Sequence, residues 1–137
     1  MVGLFFQKGV LTMNNRGQAL LEFALILPLL ILLLMGIIEF GRIFNAYIVL
    51  NHLSREGARY AATGESYTTI HDMITDGAAV LGAGSLQITI SPAQSHLTRG
   101  NPVTVKLEFD LPLFIPLINN LLSNPMHLTA ETTMRVE

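Results

Sequence analysis

The chain has 137 residues and a net charge of −2; half of the residues are apolar, and it has no cysteine or tryptophan. That length suits one domain. The weak negative charge leaves no electrostatic case for nucleic acid, and the lack of cysteine excludes disulfides, thiolate zinc sites and cysteine nucleophiles. Outside one long apolar run the composition is that of a small module, which gains from packing on a helix or a neighbouring subunit.

Met1 to Thr12 has no usable pattern. Met13-Asn14-Asn15-Arg16-Gly17 is a short, polar, basic stretch, and translation from Met13 would leave it as a five-residue leader. From Phe23 to Ile38 the chain reads FALILPLLILLLMGII, with no ionisable side chain. With Gln18 to Leu21 in front, the run reaches the roughly 20 residues that cross a bilayer as a helix. Glu22 sits at its mouth. A carboxylate costs roughly 2.5 to 3.5 kcal/mol at mid-membrane and less near the surface, so an acid here points to a function and a partner. Pro28 should bend the helix modestly.

Three readings account for the run. A cleaved signal peptide needs a shorter core and small residues at the cut, whereas Glu39-Phe40-Gly41-Arg42 follows here. A plain single-pass anchor explains the length but is indifferent to the acid. A leader cut in front of the run, with the helix left on the mature protein, predicts a short basic leader, a glycine, then apolar residues broken by one acid. Gly17, Gln18 and Glu22 fit that third pattern.

The stretches RGQALLEFALILPLL, GIIEFGRIF and REGARYAAT, within Arg16 to Thr63, resemble the TadE-like family of pilin-related proteins of the bacterial tight-adherence (Flp-type) pilus. The resemblance implies that a prepilin peptidase cuts between Gly17 and Gln18, making Glu22 the fifth mature residue. It implies a minor pilin, pseudopilin or assembly component as the role. The implied partners are membrane lipid, other pilin or pseudopilin subunits, the peptidase and the Tad secretion and assembly machinery. The C-terminal half matches nothing in that pattern.

The chemistry is consistent with that reading. A cut frees an ammonium at Gln18, and Glu22 lies roughly 6 Å further along a helix. The carboxylate is favoured near a helix N-terminus and can neutralise the ammonium of an adjacent subunit, a pair that couples more strongly when shielded from water. The alternative is a Glu22 that snorkels to the headgroups beside Arg16. Lys8 and Arg16 precede the run, and Arg42, Arg55 and Arg59 follow it, so basic residues do not decide orientation; the leader logic alone keeps the N-terminus inside.

Beyond the run, Glu39 and Arg42 share a helical face as a membrane-exit ion pair, or remain two solvated charges at headgroup level. The helix is expected to continue to about Thr63, with Phe40, Ile43, Phe44, Tyr47, Ile48, Leu50, Leu53, Ala58, Ala61 and Ala62 as one apolar stripe and Ser54 off it. Gly57 reads as a soft point and Gly64 as a stop. Glu65 to Gly82 reads as a second helix capped by Ser66, with Ile70, Met73, Ile74, Ala78 and Leu81 inward. The period then becomes two: Leu86-Ile88-Ile90, Val103 to Leu111 and Leu128 to Val136 alternate as three half-buried strands. Such a sheet laid on the amphipathic half of the helix satisfies both surfaces.

Between the last two strands, LPLFIPLINNLLSNP is too apolar for an ordinary loop. Leu113, Phe114, Ile115, Leu117, Ile118 and Leu121 either fold onto the core or form a patch for a neighbour or the membrane surface. Catalytic signals are thin. His52, His71, His96 and His127 are scattered, His71, Asp72 and Asp76 have no second ligand pair, Ser54 and Ser66 lack an elbow or base, and Gly82-Ala83-Gly84 is no phosphate loop. A structural protein without enzyme activity, metal or cofactor is expected.

The expected architecture is α+β and pilin-like: a long N-terminal helix, membrane-spanning in its first half, a second short helix and a small three-stranded antiparallel sheet. Residues 1–17 are the leader, 18–39 the transmembrane helix, 40–64 its amphipathic extension and 65–137 an extracytoplasmic domain on the inner membrane, with incorporation into a surface pilus left open. The alternatives are an uncleaved single-pass anchor whose outer domain binds an envelope partner, and a periplasmic soluble protein.

Overall fold

The structure is a computed structural model that describes residues 15–115 and 122–137, with side chains from residue 17 onward. Helix α1 spans Asn15–Ala62 and α2 spans Tyr67–Ala78, followed by a 3₁₀ turn at Ala79–Leu81. Strands β1 (Ser85–Ser91), β2 (Pro102–Leu111) and β3 (Met126–Arg135) form an antiparallel sheet in the order β1-β2-β3. The fold is α+β, as the change of period from 3.6 to two requires. The chain divides into two units, Met1–Met35 and Gly36–Glu137.

In the first unit every side chain from Gln18 to Met35 is exposed. Leucine and isoleucine fill most of this stretch. Side chains of this kind cost free energy in water, roughly 1.5 to 3 kcal/mol each relative to burial. The segment is long and apolar enough to cross a membrane, and a bilayer supplies the apolar solvent that its own chain does not.

The second unit builds the core. On β2, Val103, Val105, Leu107, Phe109 and Leu111 are buried, while Thr104, Lys106, Glu108 and Asp110 face outward. Leu107 pairs with Ile88 on β1 and Ala130 on β3, which sets the register for the whole sheet. Helix α2 begins where the Ser66 hydroxyl accepts from the Thr69 N–H at 3.2 Å, the expected N-cap, and buries Ile70, Ile74 and Ala78. Helix α1 ends at Gly64, whose φ of 86° suits glycine. The Glu65 N–H returns to the Tyr60 carbonyl at 3.1 Å and the Gly64 N–H to Ala61 at 3.2 Å, a Schellman closure.

Three expectations for α1 are corrected. The apolar stripe splits into two faces. Ala46, Leu50, Leu53, Ala58, Ala61 and Ala62 are buried, whereas Phe40, Phe44, Tyr47 and Ile48 are exposed. At about 100° per residue the Phe40-Phe44-Ile48 ridge turns away from the Ala46-Leu50-Leu53 face. Ser54, placed off the stripe by its polarity, is fully buried. Its hydroxyl donates to the Asn51 carbonyl at 3.1 Å or shares a hydrogen with Thr132 on β3 at 2.8 Å, which satisfies it. Gly57 is not a soft point either. A Cβ there would meet Ile74 at 3.0 Å, and one on Gly77 would meet Leu53 at 2.5 Å. These glycines are where α1 and α2 approach closely.

Candidate functional site

Three places in the described residues carry charge in an unusual setting. The first is Glu22. It is the only ionisable residue between Gln18 and Ile38, it is exposed, and its Oε1 accepts from Gln18 Nε2 at 3.3 Å. One neutral hydrogen bond leaves most of the carboxylate's acceptor capacity free. Because α1 already begins at Asn15, Glu22 lies beyond the first helical turn. The helix dipole therefore does less for it in this form than the sequence suggested, since that field fades within a turn. Gly17 and Gln18 both lie inside the helix.

The second place is in the Gly36–Glu137 unit. Glu39 is only 3% exposed, and Arg42 Nη1 donates to its Oε1 at 2.9 Å. The local pair is therefore formed, and one member is buried rather than solvated. The Arg42 guanidinium in turn lies 4.1 Å from the centre of the Phe114 ring, a cation–π contact. The loop is held by its own base: the Leu113 N–H donates to Asn124 Oδ1 at 3.1 Å, and Asn124 Nδ2 donates back to the Leu113 carbonyl at 3.4 Å. Leu113 and Ile115 are buried and Phe114 is exposed. From Leu113 to Ile115 the chain thus alternates, with Leu113 and Ile115 in the interior and Phe114 on the surface. Leu117, Ile118 and Leu121 lie outside the described residues.

The third place was missed in the sequence. Asp110 on β2 stands opposite Ser85 on β1 and His127 on β3. Ser85 Oγ donates to Asp110 Oδ2 at 3.0 Å, and His127 Nδ1 lies 2.6 Å from Asp110 Oδ1. His127 Nε2 is 3.6 Å from Glu108, which pairs with Lys106 at 2.8 Å. The serine addresses the carboxylate and not the imidazole, so the row lacks the relay a nucleophilic serine needs. It is a polar ladder on the open face of the sheet. His71, Asp72 and Asp76 are exposed on α2. Among the described residues no group of three or more His, Asp or Glu is arranged to hold a metal ion.

The ladder makes stability depend on pH. The hydrogen bond to Asp110 raises the His127 pKa above its ordinary 6.5. The His127 contact lowers Asp110 below 3.8, and the Lys106 contact lowers Glu108 below 4.5. The stabilisation from His127 is complete below its unfolded value and is lost as pH rises through its higher folded value. That from the two carboxylates is complete above their unfolded values and is lost as pH falls through their lower folded values. The ladder is therefore strongest between about pH 4.5 and 6.5. Denaturation midpoints measured from pH 5 to 9 should fall toward the alkaline end in the native chain, and His127→Gln should flatten that fall. Parallel curves would remove His127 from the explanation.

The first two places lie on, or next to, one N-terminal stretch, and that stretch has relatives. Residues 17–59 match the TadE-like protein family. The match takes in Gly17, Gln18, Glu22, Glu39 and Arg42, and stops before α2, the sheet and Phe114. We found no match among curated proteins or among solved structures. Residues 17–59 thus carry both the TadE-like match and most of the apolar stretch that is long enough to cross a membrane.

Proposed function

We propose that the chain is a minor pilin or assembly component of a tight-adherence pilus, cut between Gly17 and Gln18 by a prepilin peptidase. Residues 18–39 then hold it in the bacterial inner membrane, 40–64 extend that helix outward, and 65–137 lie on the extracytoplasmic side. Glu22 pairs with the freed ammonium of a neighbouring subunit and sets the register between stacked helices, while the apolar helix packs the assembly together with the other Tad components. The observation that carries this is a lone carboxylate in the otherwise uncharged, exposed apolar stretch from Gln18 to Met35, inside the segment that matches the family. In lipid such a group needs a partner, and its spare acceptor capacity suits an ammonium.

The competing reading is an uncut anchor whose outer domain binds an envelope partner. The helical backbone running through Gly17 and Gln18 favours it, because a peptidase must unwind that turn before cutting. Gly17 lowers the cost of doing so, being roughly 1 kcal/mol worse than alanine in a helix. Mass spectrometry of protein purified from membranes separates the two. A mature N-terminus at Gln18 supports trimming, and one at Met1 or Met13 supports the anchor. Glu22→Ala should insert normally yet co-purify with other pilus subunits at least tenfold less well, the scale of one lost ion pair of about 1.4 kcal/mol or more. Unchanged recovery would argue against the pairing role.

A further inference from the structure

The two helical turns from Ile37 to Phe44, at the end of the apolar run, keep large apolar side chains exposed, and this part of α1 belongs to the Gly36–Glu137 unit. Ile37, Ile38, Phe40 and Phe44 are 61%, 65%, 69% and 56% exposed. The Phe40 and Phe44 rings stack with centroids 6.5 Å apart and form one side. Arg42, two residues after Phe40, lies about 200° around the helix, and there the guanidinium carries Phe114, itself 68% exposed. Loop and helix together thus set large apolar groups on both sides of these turns.

Only two ionisable residues interrupt the stretch from Ile37 to Phe44, and they neutralise each other. Glu39 is buried and bonded to Arg42, and Arg42 is covered on one face by the Phe114 ring. A stretch meant for water would present charge outward; this one withdraws it. Phenylalanine and leucine on the apolar face of a helix at the membrane surface bury into the boundary between headgroups and acyl chains, and an arginine beside them can direct its remaining N–H groups to lipid phosphates.

We propose that Phe40, Phe44 and Phe114 form a collar that lies in the bilayer interface, so that lipid contact extends past residue 39 to Phe44 and includes Phe114, just after β2. The occupant is lipid because the collar continues directly from an apolar run that already requires it. The run from Gln18 to Ile38 already has the roughly 20 residues a span needs, so the collar falls at its end, where hydrocarbon gives way to headgroups. The inference rests on the membrane-anchored part of the proposed function and does not depend on cleavage.

The chain has no tryptophan, so single substitutions give site-specific fluorescence. The full chain would be reconstituted in phosphatidylcholine–phosphatidylglycerol liposomes, without bromine, with lipids brominated near the headgroup end of the acyl chain (read at Phe44, Phe114 and Thr129) and with lipids brominated deep in the chain (read at Ile31). The probes are Phe44→Trp and Phe114→Trp, with Ile31→Trp in the apolar run and Thr129→Trp on the open face of the sheet as references. Bromine should quench Phe44→Trp and Phe114→Trp at least twofold while leaving Thr129→Trp unchanged. Water-like, unquenched emission at Phe114→Trp with strong quenching at Ile31→Trp would overturn the collar and leave the anchor intact. Blue-shifted but unquenched emission there would mean a protein covers the loop, and would also overturn it. Loss of quenching at Ile31→Trp as well would remove membrane anchoring itself.

Discussion

Arg42→Ala is expected to destabilise the Gly36–Glu137 unit by about 2 to 3 kcal/mol, because it leaves Glu39 buried with no counter-charge. Breaking a fully buried pair costs roughly 3 to 5 kcal/mol; Arg42 keeps 29% of its side-chain surface exposed, which lowers the figure. The loss comes mostly from the stranded carboxylate rather than from the missing bond. Glu39→Gln combined with Arg42→Ala should therefore recover most of the stability, since a neutral amide is far cheaper to bury. Arg42→Lys should recover less than half, because an ammonium keeps the charge but offers no planar face to the Phe114 ring. Denaturant unfolding of the full chain in detergent, followed by circular dichroism, measures all three. Equal losses in the single and double variants would show that Glu39 is not the group that suffers.

The same pair shows what a sequence can and cannot disclose. Strand β2 was legible because one face meets the core and the other meets water, so its alternation is written residue by residue from Val103 to Leu111. The second helix was legible because Ser66 is a cap and Ile70, Ile74 and Ala78 keep one period. Glu22 stands out in the sequence because a charge in an apolar run is costly in lipid, and in the structure it is exposed and bonded only to Gln18. Glu39 was not, since a carboxylate three residues before an arginine reads as a surface pair in any helix, and its burial depends on tertiary structure. The Asp110 ladder depends on register: only the pairing that sets Asp110 against both Ser85 and His127 brings the three together. Ser54 misled for a related reason. A hydroxyl looks like an outer-face residue until Thr132 arrives to bond with it.

The split of the α1 stripe gives the sharpest contrast between neighbouring residues of similar hydrophobicity. Leu50 has no exposed surface and belongs to the main core with Ile70, Val105 and Leu107. Leu50→Ala removes buried methyl groups and leaves a cavity that the two glycine-tight helices cannot collapse into, so a loss of about 3 to 5 kcal/mol is expected. Phe44 is the larger side chain, yet its ring is 56% exposed and it lies outside the core cluster. Phe44→Ala should change unfolding of the folded unit by no more than about 0.5 kcal/mol. Its effect belongs in lipid: the variant should be extracted from membranes at lower detergent concentration, which Leu50→Ala should not reproduce at temperatures where it stays folded. Urea titrations of both variants beside the parent chain decide the matter, because similar losses from both would restore the single continuous stripe that hydrophobic periodicity alone suggests.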